Sequence, residues 1–184
     1  MRIISGIWGR RLLATPEGQN TRPTLDRVKE GLFSSLSPYI PGARVLDLFA
    51  GSGALGLECL SRGAQSAVLV DSARDAIFAI TKNVKDLKAE SAEIVAKDAL
   101  SYIASAVDSF QLVFLDPPYE SGLAAICAEK LLARGLLSSD CRLVAEWDER
   151  CPFIVPEGFE ILKEKRYGKT HLTFFSPMER NDIE

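Results

Sequence analysis

From residue 44 onward the chain alternates short apolar runs with helix-like stretches, and nothing else in it restricts the fold as much. The runs RVLDLF (44–49), SAVLVD (66–71), AEIVAKD (92–98), FQLVFLD (110–116) and RLVAEW (142–147) have strand length, with stretches such as ALGLECLSRG and RDAIFAITKNVKDL between them. Strands that are apolar almost throughout and separated by helices belong to a parallel sheet covered on both faces. The last stretch, FEILKEKRYGKTHLTFF, holds two strand-like runs joined through Tyr167-Gly168-Lys169, which predicts an antiparallel hairpin at the sheet edge. At 184 residues, 47% hydrophobic and 26% charged, the chain suits one α/β domain. A chain of that length buries about 70% of its unfolded surface and needs no disulfide or structural metal.

Residues 1–43 read as an N-terminal extension and residues 44–184 as the main domain. The runs RIIS and RRLLA around Gly6 and Gly9 predict a small hairpin, and Thr24 is a candidate N-cap for a helix carrying Leu25, Val28, Leu32, Phe33 and Leu36, ended by Pro38, Pro41 and Gly42. Residues 1–44 hold seven Lys or Arg against three acids, a net of +4, which leaves −7 for the remainder of a chain whose total is −3. A basic arm on an acidic body is a pattern for nucleic-acid contact, with solvated surface as the alternative. Arg2, Arg10, Arg11, Arg22, Arg27 and Lys29 are the candidates for phosphates, and Lys163, Lys165, Arg166 and Lys169 a second group. One histidine, His171, and cysteines at 59, 127, 141 and 151 without a CxxC pair offer no zinc set, so no metal is expected. The N-terminus has no long apolar core, and a cytoplasmic, reduced protein without a membrane span is expected.

The first strand runs into AGSGALGLECL, where Gly51, Gly53 and Gly56 form GxGxxG between strand and helix. That pattern fits dinucleotides and other adenosine cofactors alike. Asp71 ends the next strand and suits a carboxylate that accepts ribose hydroxyls. Asp47 chooses among cofactors: a pyrophosphate loop should avoid a carboxylate just before the glycines, whereas S-adenosylmethionine carries an ammonium and a sulfonium that acids favour. Asp47 could also hydrogen-bond the backbone of the turn. Asp98 is either an acceptor for the adenine amine or an ordinary helix N-cap.

The sharpest feature is Asp116-Pro117-Pro118-Tyr119, at the end of an apolar strand. In open parallel sheets ligands bind at the carboxyl ends of the strands, so this tetrapeptide should converge with Asp47, Asp71 and Asp98. Pro118 keeps Pro117 out of helical geometry and neither proline donates a backbone hydrogen bond, which makes a stiff, acceptor-only loop. Such a loop suits the exocyclic amine of a nucleobase. The Asp116 carboxylate and the Pro117 carbonyl can hold its two hydrogens and turn the nitrogen lone pair toward a methyl donor, while Tyr119 offers a stacking face. A base in paired nucleic acid must first be extruded.

With these motifs in hand, the chain resembles class I methyltransferases that methylate amines and, more narrowly, the bacterial RsmD family. The narrow resemblance spans RIISGIWGRRL, RPTLDRVKEGLF, VLDLFAGSGALGLECLSRGA, FLDPPY and YGKTHLTFF, and its family-specific part is the first 33 residues. It implies a Rossmann-like, mostly parallel seven-stranded sheet with helices on both faces and a small hairpin and helix extension facing RNA. It further implies S-adenosylmethionine over Asp47, Ala50, Gly51, Gly53, Asp71, Ser72, Asp98 and Ala99. The implied reaction is methylation of guanine N2 in 16S ribosomal RNA of an assembled or assembling small subunit, by a monomer. Asp116, Pro117 and Tyr119 are the implied catalytic residues, and Arg10, Arg11, Arg22, Thr24, Arg27 and Pro118 the implied substrate contacts. Other readings are a DNA adenine-N6 or cytosine-N4 methyltransferase, a nicotinamide-dependent oxidoreductase and a non-catalytic cofactor-binding RNA module. Against the first stands the lack of an inserted segment for reading DNA. Trp8 could stack on RNA, and His171 is expected to be structural or at the substrate edge.

Overall fold

A computed structural model describes residues 1–16, 23–118 and 122–178, with the backbone alone for 23–25. Seven strands form one sheet in the order β3-β2-β1-β4-β5-β7-β6. Strands β1 (Arg44–Asp47), β2 (Ser66–Asp71), β3 (Ala92–Ala96), β4 (Phe110–Leu115) and β5 (Leu137–Asp148) are mutually parallel. The hairpin of β6 (Phe159–Tyr167) and β7 (Thr170–Pro177) runs antiparallel, with β7 against β5 and β6 outermost. Four helices follow the first four strands: α2 (Ala54–Ser61), α3 (Arg74–Leu87), α4 (Ala99–Ser105) and α5 (Leu123–Ala133). None of the helices described is long and apolar enough to cross a membrane.

Alternation along the strands divides the core. Val45, Leu69, Leu112 and Phe114 face one side with Leu57 and Leu60 of α2 and Ile80 and Leu87 of α3; Leu46, Val70, Val113 and Leu115 face the other with Ile103 of α4 and Cys127, Ala128 and Leu131 of α5. Strands β1, β2 and β4 bury both faces, which is why they read as continuous apolar runs, whereas the edge strand β3 holds no buried residue. β1 and β3 are shorter than the runs predict, because the chain leaves the sheet after Asp47 and after Ala96. β5 is longer: it starts at Leu137 and shifts register against β4 between Phe110 and Leu112.

At the N-terminus the expected hairpin reduces to a single bridge, Arg2 with Leu12, supported by Ile3 N–H to the Arg11 carbonyl at 2.9 Å and Arg10 N–H to the Ile3 carbonyl at 2.9 Å. Helix α1 (Pro23–Leu36) starts one residue before Thr24, so Thr24 lies inside it rather than capping it. Proline suits a first helical position, since its φ is already helical and it has no N–H to satisfy. A turn of 3-10 helix, Ser37–Tyr39, follows. Ile3, Leu13, Val28, Leu32, Phe33 and Leu36 enter the same apolar cluster as β1 and α2.

Buried polar side chains, Glu58 and Asn83 among them, fasten this N-terminal part. Glu58 of α2 is fully buried and accepts from the backbone N–H of Ile4 at 2.7 Å and of Ser5 at 3.0 Å. It also pairs with Arg62 at 2.8 Å and Lys29 at 3.2 Å. Asn83 of α3 accepts from Ala14 N–H at 2.7 Å and donates to the Ala14 carbonyl at 2.9 Å and to the Ser52 carbonyl at 2.8 Å. The arm is thereby bonded through one amide to the glycine loop. Lys29 corrects the expectation of a phosphate contact: it is 4% exposed and donates to the Arg2 carbonyl at 2.7 Å. Burial pushes its amine below the ordinary range, and the Glu58 carboxylate offsets that only in part.

Candidate active site

The strand order reverses at β1, which has β2 on one side and β4 on the other, and in such sheets the crevice at that point is where ligands bind. A cleft of about 620 Å³ opens there. Asp47 at the end of β1, Ala50 and Gly51 of the glycine loop, Asp71 at the end of β2 and Ser72 after it, Asp98 and Ala99 after β3, and Asp116, Pro117 and Pro118 after β4 all line it. Helix α1 forms another wall through Val28, Lys29 and Leu32.

The glycine loop is shaped by its backbone. Gly51 and Gly53 have φ of 56° and 75°, a region open to glycine at no steric cost, and Gly53 N–H closes the turn on the Ala50 carbonyl at 2.6 Å. Gly53 builds this turn without lining the cleft. Gly56, on α2, permits close helix-to-sheet packing, since a Cβ there would lie 2.2 Å from Leu69 Cδ2.

Each acid has a distinct setting. Asp71 accepts from Gly51 N–H at 2.8 Å through one oxygen and from Ala73 N–H at 2.9 Å through the other, which fixes the carboxylate and leaves lone pairs on both oxygens. Asp98 caps α4 by accepting from Ser101 N–H at 2.9 Å, as one of its two alternatives expected, and also lines the cleft. Asp47 is buried and accepts from Gly56 N–H at 3.2 Å. Burial lifts its carboxyl to about 7; the Gly56 bond opposes this, and the nearby Asp116 and Asp71 add to it. Burial also lifts the Asp116 carboxyl to about 6. Carboxyls poised near neutrality in a cleft mark a functional site, and these two would welcome a positive charge.

The arginines lie apart from this floor. Arg10 and Arg11 are exposed, Arg10 with a φ of 71°, and Arg11 donates to the Asp86 carbonyl at 3.3 Å. Arg27 is exposed on α1, one residue before the wall residue Val28. Arg22 and Tyr119 lie outside the described residues, as does the side chain of Thr24. In the second basic group, Lys165 donates to the Gly31 carbonyl at 2.8 Å and Arg166 pairs with Glu149. His171 is away from the cleft lining and stacks on Trp147, ring centroids 4.1 Å apart. Trp8 is half-buried against the core cluster.

Sequence reasoning missed Phe49, Leu55, Lys97 and Glu146, which also line the cleft. The rule that singled out Asp71 and Asp116, a carboxylate at the carboxyl end of a parallel strand, applies equally to Glu146.

The family model described as Conserved hypothetical protein 95 matches residues 1–176. The chain is 39% identical over 170 residues to ribosomal RNA small subunit methyltransferase D of Escherichia coli K12, covering 92% of this chain and 86% of that protein. The solved structure of the Escherichia coli protein yhhF superposes with a TM-score of 0.87 at 37% identity, covering 98% of this chain and 99% of that one. The ribosomal protein L11 methylase of Lactobacillus delbrueckii, at 16% identity and a TM-score of 0.69 over 94% of this chain and 89% of that one, shares the fold. The architecture is that of a Rossmann-like class I methyltransferase.

Proposed function

Because the chain belongs to the family described as Conserved hypothetical protein 95, the RsmD family, we propose that it transfers a methyl group from S-adenosylmethionine to the exocyclic N2 amine of a guanine in 16S ribosomal RNA. The relatives' name supports methylation of small-subunit RNA, and the chemistry of the cleft supports the donor and the amine. The observation that carries the reading is that the Asp116-Pro117-Pro118 loop shares one cleft with the glycine loop, Asp47 and Asp71.

The residues fit the donor. S-adenosylmethionine, when bound, supplies an electrophilic methyl carbon on a sulfonium. The glycine loop has a carboxylate before it, an arrangement that suits an ammonium and disfavours a pyrophosphate. Asp71, anchored by Gly51 and Ala73, accepts ribose hydroxyls; Asp98 at the lip accepts from the adenine amine; Asp47 balances the cationic methionine end.

On the substrate side, Asp116 is half-buried, Pro117 buried and Pro118 exposed. The Asp116 carboxylate and the Pro117 carbonyl grip the two N2 hydrogens and direct the nitrogen lone pair at the methyl carbon. S-adenosylmethionine would supply the methyl carbon and keep the carbon–sulfur electron pair, and N2 would give up one proton on being methylated. The Asp116 carboxylate receives it, and a carboxylate raised to about 6 is a better base than an exposed one. Tyr119 stacks on the flipped base, Pro118 flanks it, and Arg10, Arg11, Arg22, Thr24 and Arg27 engage the surrounding RNA. Residues 1–43 serve as the RNA-facing extension of a catalytic domain spanning 44–184. The enzyme acts as a monomer, in the cytoplasm, on an assembled or assembling subunit. Labelled S-adenosylmethionine offered with undermethylated small subunits or with unmethylated duplex DNA tests the reading. Label in N2-methylguanine of the subunit RNA is expected, and label in DNA alone would overturn it.

A further inference from the structure

Beside Asp116 the cleft has another carboxylate. Glu146 follows Ala145, whose register partner is Leu115, and Asp116 follows Leu115, so the two acids are consecutive with a paired position on neighbouring parallel strands. Adjacent strands are about 4.8 Å apart. Both side chains line the main cleft, and both border a small hollow formed with Leu32, Leu55, Val144 and Leu172. β5 lies inside the sheet, between β4 and β7.

Guanine carries N1–H directly beside its N2 amine. Resting on the guanine-N2 reading above, we propose that Glu146 selects guanine by accepting a hydrogen bond from N1–H while Asp116 and the Pro117 carbonyl hold the amine. A purine whose N1 is a bare acceptor, such as adenine or 2-aminopurine, meets a carboxylate lone pair instead and is repelled. A carboxylate accepts up to about four hydrogen bonds, so bonds within the protein and to the base are compatible. Glu146 is a specificity residue in this scheme, distinct from Asp116, which takes the proton.

2-Aminopurine separates these roles because it keeps the amine and lacks N1–H. Subunits reconstituted with 2-aminopurine in place of the target guanosine are compared with guanosine subunits, using the full-length chain and its E146Q variant. The wild type is expected to prefer guanine by at least about 100-fold in kcat/KM, as sites built to hydrogen-bond a substrate group reject analogues lacking it. E146Q is expected to narrow that preference at least about tenfold, because its amide donates to the bare N1, with S-adenosylmethionine affinity unchanged. Dividing one preference by the other removes the intrinsic difference between the two amines. An equal preference in both proteins, or none in the wild type, would overturn the assignment to Glu146 alone. Failure of the wild type to methylate guanine N2 at all would overturn the underlying reading and this inference with it.

Discussion

Asp47 and Asp116 show how one residue type takes two tasks within one cleft. In the proposed reaction Asp116 meets the substrate amine, so D116A should retain cofactor binding and lose methyl transfer by about 10²- to 10⁴-fold. Calorimetry paired with single-turnover transfer checks both halves, and near-normal turnover would exclude the proposed role. Asp47 makes a prediction about pH. Its carboxyl rises from 3.8 in the unfolded chain to about 7 in the folded one, so between those values the folded protein binds the extra proton. The contribution of Asp47 to stability of the ligand-free protein is then fully present below about 4 and is lost progressively as pH climbs through about 7. Asparagine can still accept from Gly56 N–H and never ionises. D47N should therefore melt a few degrees above the wild type at pH 8 and equal to it near pH 4, while binding S-adenosylmethionine about tenfold more weakly or worse. Differential scanning fluorimetry at the two pH values reads the first effect, and titration calorimetry the second.

At the scale of elements, the contact of α2 with the sheet sets the shape of the glycine loop. Leu69 is fully buried, so its methyl cannot move away cheaply from a new Cβ at Gly56. G56A should cost about 1–3 kcal/mol, seen as a lower urea midpoint with an unchanged m value, and should weaken cofactor binding because α2 shifts at the loop. An unchanged midpoint would mean that α2 packs less tightly than the distances imply. Strands β1, β2 and β4 were legible because both of their faces are buried, so apolar runs mark them. The end of β1 was less so, since Leu48 and Phe49, which leave the sheet, are also apolar, while β3 stops before the charged Lys97 and Asp98. The start of α1 was misread by two residues because Thr24 and Pro23 both carry start signals. Glu58 and Asn83 gave no sequence signal at all. Each is a polar residue inside a helix, and only folding brings it to backbone groups more than 50 residues away.

For the whole molecule, the charge division matters more than the total. With +4 on the first 44 residues of a chain of net −3, the exposed arm is the part suited to phosphates. Each lost phosphate contact takes about 0.7–0.9 from the slope of log affinity against log salt. R10A with R11A should make the slope for subunit binding shallower by about 1 to 2 and leave S-adenosylmethionine affinity intact, and an unchanged slope in filter binding across salt concentrations would rule out that contact. The sequence by itself determined the layered α/β architecture, the glycine turn and the acceptor-only loop, because periodicity, glycine and proline act locally on the backbone. Tertiary structure alone decided which charges are available. It buried Lys29 against Glu58, left Arg10 and Arg11 outside, raised Asp47 and Asp116 by taking them out of water, and set Glu146 next to Asp116. Desolvation and long-range pairing depend on what the rest of the chain brings alongside, and no local pattern encodes that.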